Sequence, residues 1–268
     1  MDLAALAALN VALYASALMA AGLALHVGLG VVEKPAASGA LRMAAIAGAI
    51  ALVVASVRFA ALLQKVGGAD AFAWAWRVHG NALLALAVGA AILLAAARAR
   101  VLALPGAALI AASFALTGHT QALDTPDLAP LATAAHVTLA AFWFAAPLSL
   151  WPRESIADDV VSARLQRFSA IAILAVPVLF ALGVWLALRL GGGLEALMSS
   201  DYGRVLLAKL GAAGAALSLG AVNRRIGVSS LRSGRTTLKR LLVGEAVAFF
   251  VALALVAWAT TATGPPET

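Results

Sequence analysis

The chain has 268 residues, of which 63% are hydrophobic and 12% are charged, and its formal net charge is +7. It contains no cysteine, which excludes disulfides, thiolate metal sites and a cysteine nucleophile. Several uninterrupted apolar runs are longer than the roughly 18 residues that predict a membrane-spanning helix. These runs lack the alternation of polar and apolar residues found in barrel strands. The composition therefore predicts an all-α polytopic membrane protein, a bundle of about eight transmembrane helices.

In chain order, the apolar runs predict spans at about residues 3–29, 41–63, 78–97, 102–118, 126–150, 168–190, 202–222 and 241–261. We expect loops at 70–77, 153–167 and 223–240, and a short interfacial helix at 194–200. Thr125-Pro126-Asp127 has the pattern of a helix start, with Pro126 at the first position. We expect residues 1–268 to form a single integral membrane domain, in which the N-terminal helices occupy 1–100 and the fourth helix reaches 119.

The basic residues cluster in alternate loops of this predicted topology. Cytoplasmic loops of membrane proteins carry an excess of lysine and arginine. This rule predicts cytoplasmic loops after the first, third, fifth and seventh spans, and it places both termini outside. In a bacterial inner membrane the outer side is the periplasm. The residues that carry this bias are Lys34, Arg42, Arg98, Arg100, Arg153, Arg164, Arg167, Arg224, Arg225, Arg232, Arg235, Lys239 and Arg240.

Three of the four histidines approach the predicted outer surface. His119 ends the fourth span, His136 lies in the outer half of the fifth, and His79 lies in the first turn of the third. Ionisable side chains inside a membrane are costly, and this makes them candidates for function. Imidazole suits copper and zinc, so we predict a metal site at these histidines, supported by the carboxylates of Asp124 and Asp127.

The remaining ionisable residues of the spans have other interpretations. His26 lies at the inner end of the first span and is interpreted as structural, although Met19 on the same face would offer a thioether to copper(I). Arg58 is expected either to snorkel to the membrane surface or to pair between helices. Lys209 and Glu245 lie at different depths, so we do not expect them to pair.

Several short motifs in the second half of the chain occur together in a characteristic order. They are Thr117-Gly118-His119, His136 with Trp143, Arg167-Phe168-Ser169, Asp201-Tyr202-Gly203-Arg204 with Lys209, Asn223-Arg224, and the spacing from Arg240 to Glu245. In this order and spacing, residues from about 110 to 265 resemble the CopD/PcoD copper-resistance family of inner-membrane proteins. One departure is Ala145-Ala146, where the family often has a pair of glycines.

The resemblance implies that the chain moves copper across the inner membrane, alongside a periplasmic copper-binding partner of the CopC type. His119 and His136 carry over as copper contacts, whereas Lys209 and Glu245 carry over as motif residues without an assigned role. We expect no enzyme, because no nucleophile–base pair is visible. We expect no ATPase, because there is no phosphate-binding loop.

Two other functions remain open beside a copper permease that captures copper at a periplasmic histidine site. Histidines on facing helices ligate haem, so a b-type haem electron carrier with His79 and His136 as axial ligands is one alternative. The other is a membrane partner of a periplasmic copper chaperone that does not itself transport copper.

Overall fold

The structure, a computed structural model, describes residues 2–117, 128–227 and 231–263. These ranges form helices joined by short turns. Two 3₁₀ turns, Arg100–Leu102 and Phe114–Leu116, flank the fourth helix, and a π-helical turn, Ala259–Thr263, follows the last. The helices are α1 (Leu3–Gly28), α2 (Lys34–Val66), α3 (Ala71–Ala96), α4 (Ala103–Ser113), α5 (Ala129–Phe144), α6 (Ala146–Ser149), α7 (Asp158–Leu190), α8 (Gly193–Ser199), α9 (Asp201–Gly227) and α10 (Leu231–Trp258).

Seven helical segments of the described ranges are long and apolar enough to cross a membrane. The eighth predicted span is a shorter apolar segment, Arg100–Leu116, which consists of α4 and its two 3₁₀ turns. The prediction of an all-α polytopic membrane protein is confirmed.

The first helix lies at the centre of the bundle. It packs against α2, α4, α5 and α10, while α9 packs mainly against α10 at the periphery. The buried part of α1 is rich in small residues such as Ala17, Ala21 and Gly22. Lipid tails are as apolar as leucine, so helices in a membrane associate through close van der Waals packing, which small residues allow. The alanine-rich first span therefore forms the core of the protein.

Three predicted loops are largely helical, and the prediction was wrong there. Residues 71–77 belong to α3, residues 158–167 belong to α7, and α9 and α10 extend through most of 223–240. Hydropathy detects the part of a helix that lies in hydrocarbon, and these helices continue beyond it. The acids Asp158 and Asp159 favour such an extension, because they lie in the first turn of α7 near its partial positive charge. The short helix expected at 194–200 is present as α8.

The fifth span also differs from its prediction. Helix α5 begins at Ala129, with Pro130 in its first turn, rather than at Pro126, which lies outside the described residues. The span is interrupted at Ala145, and α6 then carries Pro147 in its own first turn. Proline lacks a backbone N–H and is tolerated only near the start of a helix, which explains the break before it.

The loops at the predicted cytoplasmic end are joined by arginine side chains. Arg164 of α7 forms a bidentate ion pair with Glu33, in which Nε lies 2.7 Å and Nη2 lies 2.5 Å from the carboxylate oxygens. Arg167 donates to the carbonyl of Gly30, whose φ of 73° favours glycine. Arg235 of α10 donates to Asp158 and to the carbonyls of Arg153 and Ile156. Charged groups of α2, α7 and α10 therefore meet at one end of the bundle.

Candidate metal site

His136 is held on α5 by a backbone carbonyl of α7. Its Nδ1 lies 3.1 Å from the carbonyl oxygen of Leu179. A carbonyl can only accept, so Nδ1 carries the hydrogen and donates it. In the neutral ring this leaves a lone pair on Nε2. Histidines that bind metals commonly donate their other ring N–H to a carbonyl in this way, since the bond fixes the tautomer and the ring orientation.

Two neighbours that the sequence did not point to complete the surroundings of His136. A Cβ at Gly183 would lie 3.0 Å from Cε1 of the imidazole, so the absence of a side chain there makes room for the ring. The hydroxyl of Thr133 is buried and has no hydrogen-bond partner among the residues that the structure describes. Thr133 precedes His136 by one turn on the same face of α5. A ligand or water between these two side chains would satisfy the hydroxyl.

Lys209 of α9 lies within electrostatic range of His136. The lysine is half-buried in the bundle, and within the described ranges no hydrogen bond or ion pair engages its ammonium group. A positive charge beside an imidazole opposes the binding of a cation there and opposes a doubly charged ion most.

His79 lies further along its helix than the sequence predicted. Helix α3 begins at Ala71, so His79 lies eight residues along it, about 12 Å at 1.5 Å per residue, rather than in the first turn. Its Nδ1 lies 2.8 Å from the hydroxyl of Thr117, directly after the 3₁₀ turn that follows α4. Helix α4 and its turn thus end alongside the third turn of α3.

Arg58 of α2 is partly buried. It lies within electrostatic range of His79 of α3 and of Tyr14 of α1. Its Nε is buried and has no hydrogen-bond partner among the described residues. Tyr14 in turn contacts Phe114, with 5.8 Å between the ring centroids. That Arg58 either snorkels or pairs between helices stays a prediction.

The other predicted ligands of the outer site cannot be placed. His119, Asp124 and Asp127 lie in 118–127, outside the described residues. Within the ranges that the structure describes, no group of three or more histidine, aspartate or glutamate side chains is arranged to hold a metal ion. The 3₁₀ turn Phe114–Leu116 packs against both α3 and α5, the helices of His79 and His136.

His26 occupies a different environment at the other end of α1. Its side chain is completely buried, with Nε2 2.8 Å from the carbonyl oxygen of Phe142 and Nδ1 2.5 Å from the Ser149 hydroxyl. The rings of Phe142 and Phe168 lie edge-on to it. Both ring nitrogens are therefore occupied by the protein, which leaves neither for a metal. Met19 is half-buried in the core two turns away along α1.

The hydrogen bonds of His26 continue into the ion pair at the inner end. Arg164 donates from Nη1 to the backbone carbonyl of Ser149 at 3.0 Å while it holds Glu33. We call His26, Ser149, Arg164 and Glu33 the inner network. It links α1, α6, α7 and the turn before α2. The sequence did not predict it, because His26 and Glu33 lie more than a hundred residues from Ser149 and Arg164 along the chain.

The two motif residues Lys209 and Glu245 are far apart. Glu245 of α10 is buried, and its Oε1 lies 3.6 Å from the position of a Cβ at Gly220. Gly220 follows Lys209 by eleven residues on α9, or about 16 Å. Trp143 is buried and packs against Phe180 of α7 and Phe249 of α10, so it joins three helices.

These features define a polytopic helical membrane protein with imidazoles and basic groups inside its predicted outer half. Residues 162–259 match the family model described as Copper resistance protein D, or CopD. The relationship to the CopD copper-resistance family that the sequence predicted is therefore confirmed over this segment. No curated protein and no solved structure matches the chain.

The matched segment covers 98 of the 268 residues, from 162 to 259. It contains Leu179, Gly183, Lys209 and Glu245, and it does not contain the histidines. The Leu179 carbonyl, which orients His136, and Lys209 thus belong to the matched segment. His136 itself belongs to α5, which packs against α7.

Proposed function

We propose that the chain is a copper permease of the bacterial inner membrane that captures copper on the periplasmic side at His79, His119 and His136. The match of residues 162–259 to the family model Copper resistance protein D supports an association with copper resistance. The observation that carries the histidine site is the bond from His136 Nδ1 to the Leu179 carbonyl, since it leaves Nε2 as the coordinating nitrogen.

The surroundings of the two described histidines support the same proposal. Both use Nδ1 in a hydrogen bond to the protein. At His136 the partner is a carbonyl, so Nε2 keeps its lone pair, whereas the Thr117 hydroxyl at His79 can either donate or accept. The Thr133 hydroxyl near His136, which has no partner among the described residues, fits a site that a ligand or its bound water completes. His119 follows Thr117, the partner of His79, by two residues in the sequence. Asp124 and Asp127 are supporting residues of this outer site.

The proposed orientation follows from charge. Arg164 of the inner network, Arg167 and Arg235 are assigned to the cytoplasm by the positive-inside rule. Both termini and the three histidines of the proposed site then lie toward the periplasm. A periplasmic copper-binding protein of the CopC type would deliver the ion to this surface.

The experiment that tests the proposal is the copper and iron content of protein purified in mild detergent after copper loading. We expect about one copper per chain in the wild type and its loss in the His119→Ala/His136→Ala variant. Thr138→Ala is the matched control, because Thr138 lies on α5 near His136 and bonds only to its own helix. Iron with a haem absorption band would instead support the electron carrier. Retention of copper in the double variant would reject the site.

Flux separates a permease from a membrane partner that does not transport. Copper entry into proteoliposomes should be lost in the double variant and retained in Thr138→Ala. Stoichiometric copper binding without flux in the wild type would reject transport and leave the role of a partner for a periplasmic chaperone.

A further inference from the structure

We infer that the inner end of the bundle binds the headgroup of an anionic phospholipid, an inference that does not depend on the copper site. Three arginines carry it, and we call them the arginine cluster. Arg98 and Arg100 lie in the connection between α3 and α4, residues 97–102, and Arg167 lies on α7. All three side chains are exposed.

The members of the arginine cluster meet beside the end of α1. A Cβ at Gly28, the last residue of α1, would lie 2.5 Å from the side chain of Leu104 at the start of α4. Helix α1 also contacts the 3₁₀ turn that begins at Arg100. Two residues beyond Gly28, the carbonyl of Gly30 accepts a hydrogen bond of 2.7 Å from Nη1 of Arg167. The turn after α1 therefore lies next to both arginine-bearing segments.

The described residues do not neutralise the positive charge of the arginine cluster. Within the ranges that the structure covers, no ion pair engages Arg98, Arg100 or Arg167. Glu33 follows Gly30 in the same turn, but both of its carboxylate oxygens are bound by Arg164.

The other acids of this end lie at the start of α7 or before it. Asp159 precedes Arg167 by eight residues, or about 12 Å along the helix. Asp158 is engaged by Arg235, and Glu154 is earlier still in the chain. The residues between α9 and α10 that the structure does not describe, 228–230, carry no charge in the sequence. The arginine cluster is therefore open to an anion from outside the protein.

Exposed apolar side chains adjoin the arginine cluster. Val101 follows Arg100 and is 81% exposed, Leu104 is 40% exposed, and Leu29 is 45% exposed. Arg100 also begins the apolar segment Arg100–Leu116, which places it where the hydrocarbon of the membrane ends. Acyl chains fit these apolar side chains, and guanidinium groups bind phosphate oxygens in pairs. A phospholipid carries both parts in one molecule, whereas a free phosphate carries only one.

Charge decides the class of phospholipid. A zwitterionic headgroup brings an ammonium group of its own, which three guanidinium groups repel. A headgroup with a net negative charge has no such penalty, and basic sites between transmembrane helices are known to select anionic headgroups. Phosphatidylglycerol is the simplest lipid of this class.

The test measures the thermal unfolding midpoint in mild detergent with added dioleoyl-phosphatidylglycerol or dioleoyl-phosphatidylcholine. The two lipids share their acyl chains and differ in headgroup charge. A ligand that binds the folded state alone raises the midpoint as its concentration increases. We expect phosphatidylglycerol to raise it at lower concentration than phosphatidylcholine. In Arg98→Gln/Arg100→Gln the affinity for phosphatidylglycerol should fall at least tenfold, since each basic side chain near an anionic lipid contributes about fivefold.

Lys65→Gln/Arg77→Gln is the matched control, because it removes two exposed charges at the opposite end of α2 and α3. Arg77 lies nineteen residues, or about 28 Å, from Ala96 at the end of α3. We expect this variant to bind phosphatidylglycerol as the wild type does. Native mass spectrometry of the wild type with an equimolar mixture of the two lipids gives a second measurement that needs no variant, and phosphatidylglycerol should be retained preferentially.

Three results would overturn the inference. The first is an equal affinity of the wild type for the two lipids. The second is an unchanged phosphatidylglycerol affinity in a folded Arg98→Gln/Arg100→Gln protein. The third is the same rise of the midpoint with inorganic phosphate at equal concentration, which would show a site for a soluble anion and not for a lipid.

Discussion

Gly22 of α1 lies directly against the backbone of Ala141 on α5. A Cβ at position 22 would overlap the Ala141 carbonyl oxygen and would stand 2.6 Å from the Cβ of Ala145. The backbones of the two helices can approach this closely only because the residues at the contact are small. Ala145 lies at the interruption between α5 and α6.

We expect Gly22→Ala to destabilise the protein by about 2–3 kcal/mol, because the added methyl group overlaps a backbone atom that cannot rotate away. The measurement is the thermal unfolding midpoint in mild detergent. Gly39→Ala on α2 is the matched control, since a Cβ there meets nothing within 4 Å. In an exposed helical position the same change should be neutral or stabilising. Equal midpoints for the two variants would contradict the close crossing.

His26 and His136 should differ in what their loss affects. We expect His26→Ala to cost about 2–4 kcal/mol, because it leaves a cavity and removes the partners of the Phe142 carbonyl and the Ser149 hydroxyl. Its copper stoichiometry should remain that of the wild type in the protein that stays folded. His136→Ala should lower copper binding at least tenfold with a smaller loss of stability. The measurements are the unfolding midpoint and the copper content of both variants. Loss of copper in a folded His26→Ala protein would contradict a purely structural role for His26.

The ring of His136 should be sensitive to its glycine neighbour. A methyl group at Gly183 would lie 3.0 Å from Cε1 of the imidazole, so Gly183→Ala must displace the ring or α7 by a few tenths of an ångström. We expect copper affinity to fall severalfold although no ligand is removed. Gly211→Ala on α9 is the control, because a Cβ there has no neighbour within 4 Å. Unchanged affinity in Gly183→Ala would argue against His136 as a ligand with a fixed orientation.

The ion pair of the inner network should make stability depend on acid. The hydrogen bond from Arg164 holds the pKa of the Glu33 carboxyl below its usual value of 4.5. Because the pKa is lower in the folded protein than in the unfolded chain, the carboxylate contributes its full stabilisation above pH 4.5. This stabilisation is lost as the pH falls from 4.5 through the pKa of the folded protein. We expect Glu33→Gln to unfold at a lower temperature than the wild type at pH 7.

The difference between wild type and Glu33→Gln should shrink as the pH is lowered from 5 toward 3, because the wild-type carboxyl then becomes neutral as well. Glu195→Gln, at an exposed residue of α8, serves as the control and should follow the wild type. A difference that stays constant from pH 7 to pH 3 would show that the ion pair does not stabilise the fold through the charge of Glu33.

Composition and apolar run length predicted the class, the order of the helices and the residues in their centres. They failed at the ends of α3, α7, α9 and α10, because a helix continues into water where hydropathy no longer detects it. The inner network could not be predicted, since Glu33 and Arg164 are 131 residues apart and the local sequence around either residue does not indicate its partner.

The candidate site could likewise be predicted from the sequence only in part. His79 and His136 stand out in sequence because imidazole is rare and costly in a membrane. Their orientation depends on the carbonyl of Leu179, a backbone atom that any residue would provide, and on the empty space at Gly183. For Arg58 the sequence left snorkelling and interhelical pairing open, because a lone arginine in a helix carries no information on whether it faces lipid or protein until its neighbours are known.

The unequal lengths of the helices affect how the protein responds to bilayer thickness. Helices α2 and α7 have 33 residues each and are about 50 Å long, well beyond the ~30 Å of a hydrocarbon core, whereas the 17 residues of Arg100–Leu116 reach only about 25 Å. The long helices continue beyond the hydrocarbon, whereas the short segment cannot span it alone. The short segment packs against α1, α3 and α5. Its depth is therefore set by protein neighbours, and we expect the contact between Thr117 and His79 to be insensitive to membrane thickness.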